Sequence, residues 1–135
     1  MVARFIPEDE PLSIPVLSTE TVYEGAIWNV VRDTFPYNDE VLSRDYVDHT
    51  GAVAIVALNE SDEVMMIRQY RHSIRTMNWE IPAGLLDIPG EDPLVCGKRE
   101  LAEEADLEAD HWEFLTTLNT TPGGSNEFIH IYVAT

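Results

Sequence analysis

The chain has 135 residues, 44% of them apolar, and a formal net charge of -17. That length carries one domain with a sizeable core. The charge argues against general binding to DNA or RNA, whose phosphates it would repel, and no run of about 18 apolar residues is present to span a membrane.

Residues 1–20 are rich in Pro, Glu and Ser and predict an irregular arm. A β-like stretch follows around Ile27–Phe35, then a turn over residues 37–40 and a second strand over Val41–His49. These two strands predict a hairpin ahead of the main domain. Gly51–Leu58 is short, apolar and β-branched, and reads as a buried strand. After a turn over Asn59–Asp62, Glu63–Tyr70 reads as its hairpin partner. Trp79–Pro82 reads as a short strand stopped by proline, and Ala83–Pro93 as a loop. Asp92 suits an N-cap and Pro93 a first helical position, so a helix is expected from there to about Asp106. Leu94, Leu101 and Ala105, with Val95 and Ala102 beside them, would form its apolar face. Gly97 inside it costs roughly 1 kcal/mol of helix stability. Strands are expected at Trp112–Leu118 and Glu127–Ala134.

The only cysteine, Cys96, excludes an intrachain disulfide and reads as a small buried apolar residue. The N-terminus lacks the apolar stretch of a secretory signal, so a cytoplasmic location is expected. Trp79, Met65 and Met66 read as packing residues. The histidines His49, His72, His111 and His130 show no metal-site spacing.

The chemistry concentrates in Arg99-Glu100-Leu101-Ala102-Glu103-Glu104. Glu103 and Glu104 stand three and four residues beyond Glu100, which puts the carboxylates on one side of a helix. Their mutual repulsion would be relieved by a hard divalent cation. Arg99 reaches Glu103 at the i,i+4 spacing. Taken alone, the hexapeptide reads more readily as a solvated acidic face with an Arg–Glu pair, since acidic helices are common.

Its context resembles the Nudix box. Gly84 opens the pattern, Glu91 is the lone glutamate, seven residues separate Glu91 from Arg99, and Leu101 and Leu107 fill the aliphatic positions. Two departures stand out. Six residues rather than five separate Gly84 from Glu91, and Asp106 replaces the closing glycine. A left-handed helix end at Asp106 would cost on the order of 1 kcal/mol relative to glycine. Arg68-Gln69-Tyr70-Arg71-His72, the Trp79–Asp87 segment, Thr121-Pro122-Gly123-Gly124-Ser125-Asn126-Glu127 and Trp28–Asp33 are similar to the ADP-ribose pyrophosphatase branch. The resemblance covers about residues 22–134.

The resemblance implies a mixed α/β fold, a sheet sandwiched between helices. Residues 1–48 would form an arm and hairpin suited to homodimer formation, and residues 49–135 the Nudix domain. It implies Mg²⁺, with Mn²⁺ as a substitute, held by Glu100, Glu103, Glu104 and the carbonyl of Ala83. Arg99 would orient the carboxylates. The implied reaction is hydrolysis of ADP-ribose, or of a related nucleoside diphosphate sugar, to AMP and a sugar phosphate. Arg71 is a candidate for a phosphate or ribose contact, or else a surface arginine at a strand end. Trp28 could stack on adenine, or serve core or dimer packing. Tyr46 is a second stacking candidate, and Glu80 a nucleotide-binding one that otherwise pairs with an arginine. Members of this branch continue past the strand ending at Thr135, so a C-terminal part carrying the water-positioning glutamate is expected beyond it, and a chain without it should turn over weakly. Two rivals remain open: a Nudix hydrolase for another nucleotide, and a Nudix-like module that senses a nucleotide without cleaving it.

Overall fold

A computed structural model of the chain describes residues 6–135. The first five residues of the expected arm, and with them most of the segment inspected for a signal, lie outside the described residues. From Ile6 to Leu17 no helix or strand forms. Strand β1 (Ser18–Glu24) then begins inside the stretch expected to be irregular, because its partner fixes it. It pairs antiparallel with β2 (Asn29–Tyr37), which pairs in turn with β3 (Glu40–Asp48). The expected hairpin is β2–β3. Asn38 and Asp39 both take positive φ, 49° and 65°, the backbone a two-residue hairpin turn needs to match strand twist.

Strand β4 (Ala52–Ala57) is buried along nearly all its length and forms the centre of the second sheet. Its neighbours are β7 (Ala83–Leu85), antiparallel, and β9 (Phe128–Ala134), parallel; β8 (Trp112–Asn119) closes the order β7-β4-β9-β8. Two expectations are corrected here. Glu63–Tyr70 does not pair along β4. Only a bridge between Leu58 and Val64 forms, with the Met65 N–H donating to the Ala57 carbonyl at 2.9 Å. The flank of Ala52–Ala54 is already taken by Ala83–Leu85. The chain instead leaves the sheet as β5 (Ile67–Arg71), which pairs with β6 (Thr76–Glu80) in a separate hairpin. The start of the expected 83–93 loop is strand β7, since Pro82 ends β6 but the chain stays extended beyond it.

The helix α1 (Pro93–Ala105) is where the sequence places it. Asp92 caps it, accepting from the N–H groups of Leu94 at 2.9 Å and Val95 at 3.3 Å. Its buried face differs from the expected one: Cys96, Gly97 and Leu101 are buried, whereas Val95 and Ala102 are exposed. Gly97 lies under Trp112 and Ile55, so the helix approaches the sheet closely there. Ile55, Ala57, Leu101 and Ala134 form the core, with Met65, Ala105, Ala109 and Trp112 packed against it. Met66 and Trp79, expected to pack, are 40% and 65% exposed. Met66 lies just before β5 and Trp79 on the β5–β6 hairpin, which pairs with no other strand, and the Arg68 guanidinium covers the Trp79 ring at 5.6 Å. The fold is mixed α/β, but α1 is the only helix among the described residues, so the expected second helical layer is absent from them.

Hydrogen bonds tie the sheets together. The Val47 N–H donates to the Gly124 carbonyl at 2.9 Å, and the Asn126 side chain accepts from the His49 N–H at 2.7 Å. The first strand group is thereby fixed to the 121–127 loop at the mouth of the second sheet.

Candidate active site

Helix α1 and the edge strand β7 meet along the acidic face. Arg99 organises that face. Its Nε and Nη2 donate to the two carboxylate oxygens of Glu91 at 3.0 Å each, and its Nη1 donates to Glu100 at 2.9 Å and Glu103 at 3.2 Å. The i,i+4 contact with Glu103 is thus present, but the stronger partner is Glu91, whose side chain is only 9% exposed. The sequence alone did not reveal that pairing, because Glu91 lies in the loop before the helix. The paired guanidinium holds the Glu91 carboxyl below its ordinary value, and Arg99 is held more firmly protonated by Glu91.

Glu100 turns inward onto β7. A Cβ at Gly84 would run into the Glu100 side chain, so the glycine leaves the hollow this carboxylate fills. Burial pushes the Glu100 carboxyl up, the charges of Glu103 and Glu104 push the same way, and Arg99 opposes them. Glu104 accepts from the Ala83 N–H at 3.0 Å. In a strand, the N–H and C=O of one residue leave by the same edge. The Ala83 carbonyl therefore lies on the edge that faces Glu104, away from β4. Cys96 is buried beneath this network, its Sγ 3.6 Å from Arg99, with its thiol pushed up to about 11 chiefly by burial.

The face thus brings together Glu100, Glu103, Glu104, Arg99 and Ala83. Among the described residues no three His, Cys, Asp or Glu side chains converge into a ready metal cluster. Arg99 stands among Glu91, Glu100 and Glu103, and the Ala83 N–H takes up Glu104. The donors are all oxygens, a half-buried carboxylate among them, and the lack of a Cβ at Gly84 lets Glu100 come up against the β7 backbone. That set suits a hard divalent cation such as Mg²⁺ or Mn²⁺.

Arg71 and Glu80 share one face of the β5–β6 hairpin. The guanidinium grips the carboxylate through Nε at 2.8 Å and Nη2 at 2.6 Å. Glu80 holds the Arg71 proton most strongly, and the charge of Glu104 adds to this. Trp28 and Tyr46 are not part of that group. Trp28 precedes β2 and stacks on His49. Tyr46 pairs opposite Val31, and its hydroxyl donates to Asp33 at 3.0 Å. The alternation of the sheet puts Tyr46 on the other face from Trp28. Tyr46 instead lines a hollow of about 580 Å³ with Arg44, Pro122, Ser125 and Asn126. A further hollow, lined largely by apolar residues, lies at the far end of β4 between Leu101, Leu107 and Thr135, and holds none of these polar groups. The chemistry rests on the carboxylate face rather than on cavity shape.

A NUDIX domain model matches residues 48–135. An ADP-ribose pyrophosphatase of Mycobacterium tuberculosis is 43% identical over 120 residues, 88% of this chain and 58% of that protein. A methanol dehydrogenase activator of Bacillus methanolicus is 39% identical over 119 residues, 87% of this chain and 64% of that protein. A solved structure described as an ADP compounds hydrolase superposes with a TM-score of 0.78 at 26% identity, covering 94% of this chain and 69% of that one. The chain spans 58% and 64% of the lengths of the two curated relatives. No helix of the described residues is long and apolar enough to cross a membrane. The matched domain contains the whole Arg99–Glu104 face and its β7 partner, and the chain belongs to the Nudix family.

Proposed function

We propose that this chain hydrolyses the pyrophosphate bond of ADP-ribose, or of a closely related nucleoside diphosphate sugar, with Mg²⁺ bound. ADP-ribose would yield AMP and ribose 5-phosphate. The observation that carries the reading is the Arg99-centred carboxylate face against the open edge of β7. The names of the M. tuberculosis relative and of the structural neighbour support the substrate class.

Glu100, Glu104 and the Ala83 carbonyl would hold the cation, with Glu103 as a further ligand. When bound, a divalent cation supplies charge neutralisation for the pyrophosphate and a more acidic water. The chain's own residues set the geometry. Arg99 aims Glu100 and Glu103, and Glu91 fixes Arg99. Arg71 offers a guanidinium fork to a phosphate, its plane set by Glu80. Trp28, rather than Tyr46, presents a ring to the base. A homodimer built through the N-terminal sheet, whose outer strand β1 is exposed along its length, and a cytoplasmic location complete the proposal.

The test is incubation with ADP-ribose with and without Mg²⁺, with products separated by chromatography. AMP and ribose 5-phosphate should form only with the metal. Tight binding of ADP-ribose without cleavage would replace the hydrolase with a sensing module. No binding and no cleavage would refute the substrate.

A further inference from the structure

Trp28 sits at the tip of the β1–β2 hairpin. Asn29 pairs with Asp48, so the next rung outward sets Trp28 against His49. The two rings stack with centroids 4.1 Å apart and planes 23° apart. His49 is held in place. Its Nδ1 accepts from the Gly51 N–H at 2.9 Å, and its Nε2 lies 3.3 Å from a Glu127 carboxylate oxygen. An accepting Nδ1 leaves the ring hydrogen on Nε2, aimed at that carboxylate. Glu127 is itself tied to the Thr120 hydroxyl, and its N–H donates to the Ser125 hydroxyl at 3.0 Å. The His49 side chain is 9% exposed, so this is a built contact rather than a chance approach of two surface rings.

The indole is only partly buried, and among the described residues His49 is the one ring stacked on it. One face of Trp28 is backed and the other has no stacking partner. The position also fits. Val53, four residues beyond His49, pairs with Gly84, the glycine that Glu100 fills. Four residues span at most about 14 Å of extended chain, a distance comparable with an extended nucleotide from base to phosphate.

We propose that His49 is a positioning residue for recognition of the nucleobase. It backs the Trp28 ring, leaves the opposite face for the base, and ties this platform to the 120–127 loop through Glu127. The assignment rests on the nucleotide reading above and extends it to residues that had no role there.

The test compares the unaltered protein with His49→Ala and His49→Phe, measuring calorimetric binding of AMP and of ribose 5-phosphate, and KM and kcat for ADP-ribose with Mg²⁺. His49→Ala should weaken AMP binding about tenfold and leave ribose 5-phosphate binding as it was, with the loss falling on KM rather than kcat. His49→Phe keeps a ring behind the indole and should recover most of the AMP affinity. Unchanged AMP affinity in His49→Ala would overturn the assignment. Equal losses for both ligands, or no recovery with phenylalanine, would do the same by giving His49 a merely structural role. No AMP binding by the unaltered protein would instead remove the nucleotide reading, and this inference with it.

Discussion

The protein contains two bidentate Arg–Glu pairs near its acidic helix, and they differ in what surrounds them. Arg99–Glu91 is a closed pair: the carboxylate is 9% exposed, the guanidinium 29%, and the remaining donor is shared between Glu100 and Glu103. Arg71–Glu80 is an open pair on a two-stranded hairpin, with the guanidinium 47% exposed and no third side-chain acceptor. The same chemical contact serves two ends. A guanidinium whose donors are all spent fixes its neighbours. One that is itself half exposed and spends two donors on a single carboxylate can offer the rest to a phosphate.

The largest effect that would break this contrast lies next to the closed pair. Glu100→Gln or Glu104→Gln should lower turnover of ADP-ribose by about a thousandfold while the melting temperature stays near that of the unaltered chain. Wild-type rates in either would remove these carboxylates from the site. Glu91→Gln keeps the shape but leaves Arg99 without a charged partner. A loss of roughly 10- to 100-fold in activity is expected, the size typical of groups that orient metal ligands. Activity within twofold of the unaltered chain would show that the closed pair orients nothing.

A smaller effect concerns the end of the same helix. Asp106 occupies the left-handed region with φ 54° and ψ 40°, its N–H donating to the Ala102 carbonyl at 3.1 Å. Asp106→Gly should raise stability by about 0.5–1 kcal/mol in denaturant unfolding. A loss of stability would mean that the aspartate side chain contributes more than its backbone costs.

The open pair gives the smallest effect, and it depends on pH. Arg71 holds the Glu80 carboxyl below its ordinary value of 4.5. A depressed folded-state value adds stability that is complete above the unfolded value and is lost as pH falls through the folded one. Arg71→Gln should therefore cost about 0.5 kcal/mol or less near neutrality, and the difference should vanish below the lowered Glu80 value. A difference that persists in strong acid would assign the effect to packing instead.

The helix and most strands were legible because their signals are local. Asp92-Pro93 marks the start of α1, Asn38-Asp39 marks a hairpin, and the alanine- and valine-rich Ala52–Ala57 marks a central strand. The misplaced pieces depend on partners distant in the chain. Ala83–Leu85 looks like a loop because Gly84 weakens a strand, yet the glycine is there for Glu100. Glu63–Tyr70 looks like a hairpin partner of β4 until Ala83–Leu85 is seen to occupy that flank. The spacing of Glu100, Glu103 and Glu104 was readable from the helix period alone. The bidentate grip of Glu91 on Arg99, the Glu104–Ala83 contact and the stack of His49 on Trp28 were not, since each crosses from one element to another.

The carboxylates of α1 and the edge of β7 are proposed as a divalent-cation site. Its most direct test is a Mn²⁺ titration followed by electron paramagnetic resonance, on the unaltered chain, Glu100→Gln, Glu104→Gln and the surface control Glu108→Gln. At least a tenfold loss of Mn²⁺ affinity is expected in the first two variants and none in the control. Equal Mn²⁺ affinity in all four proteins would show that the ion follows the overall negative charge and that these carboxylates form no site.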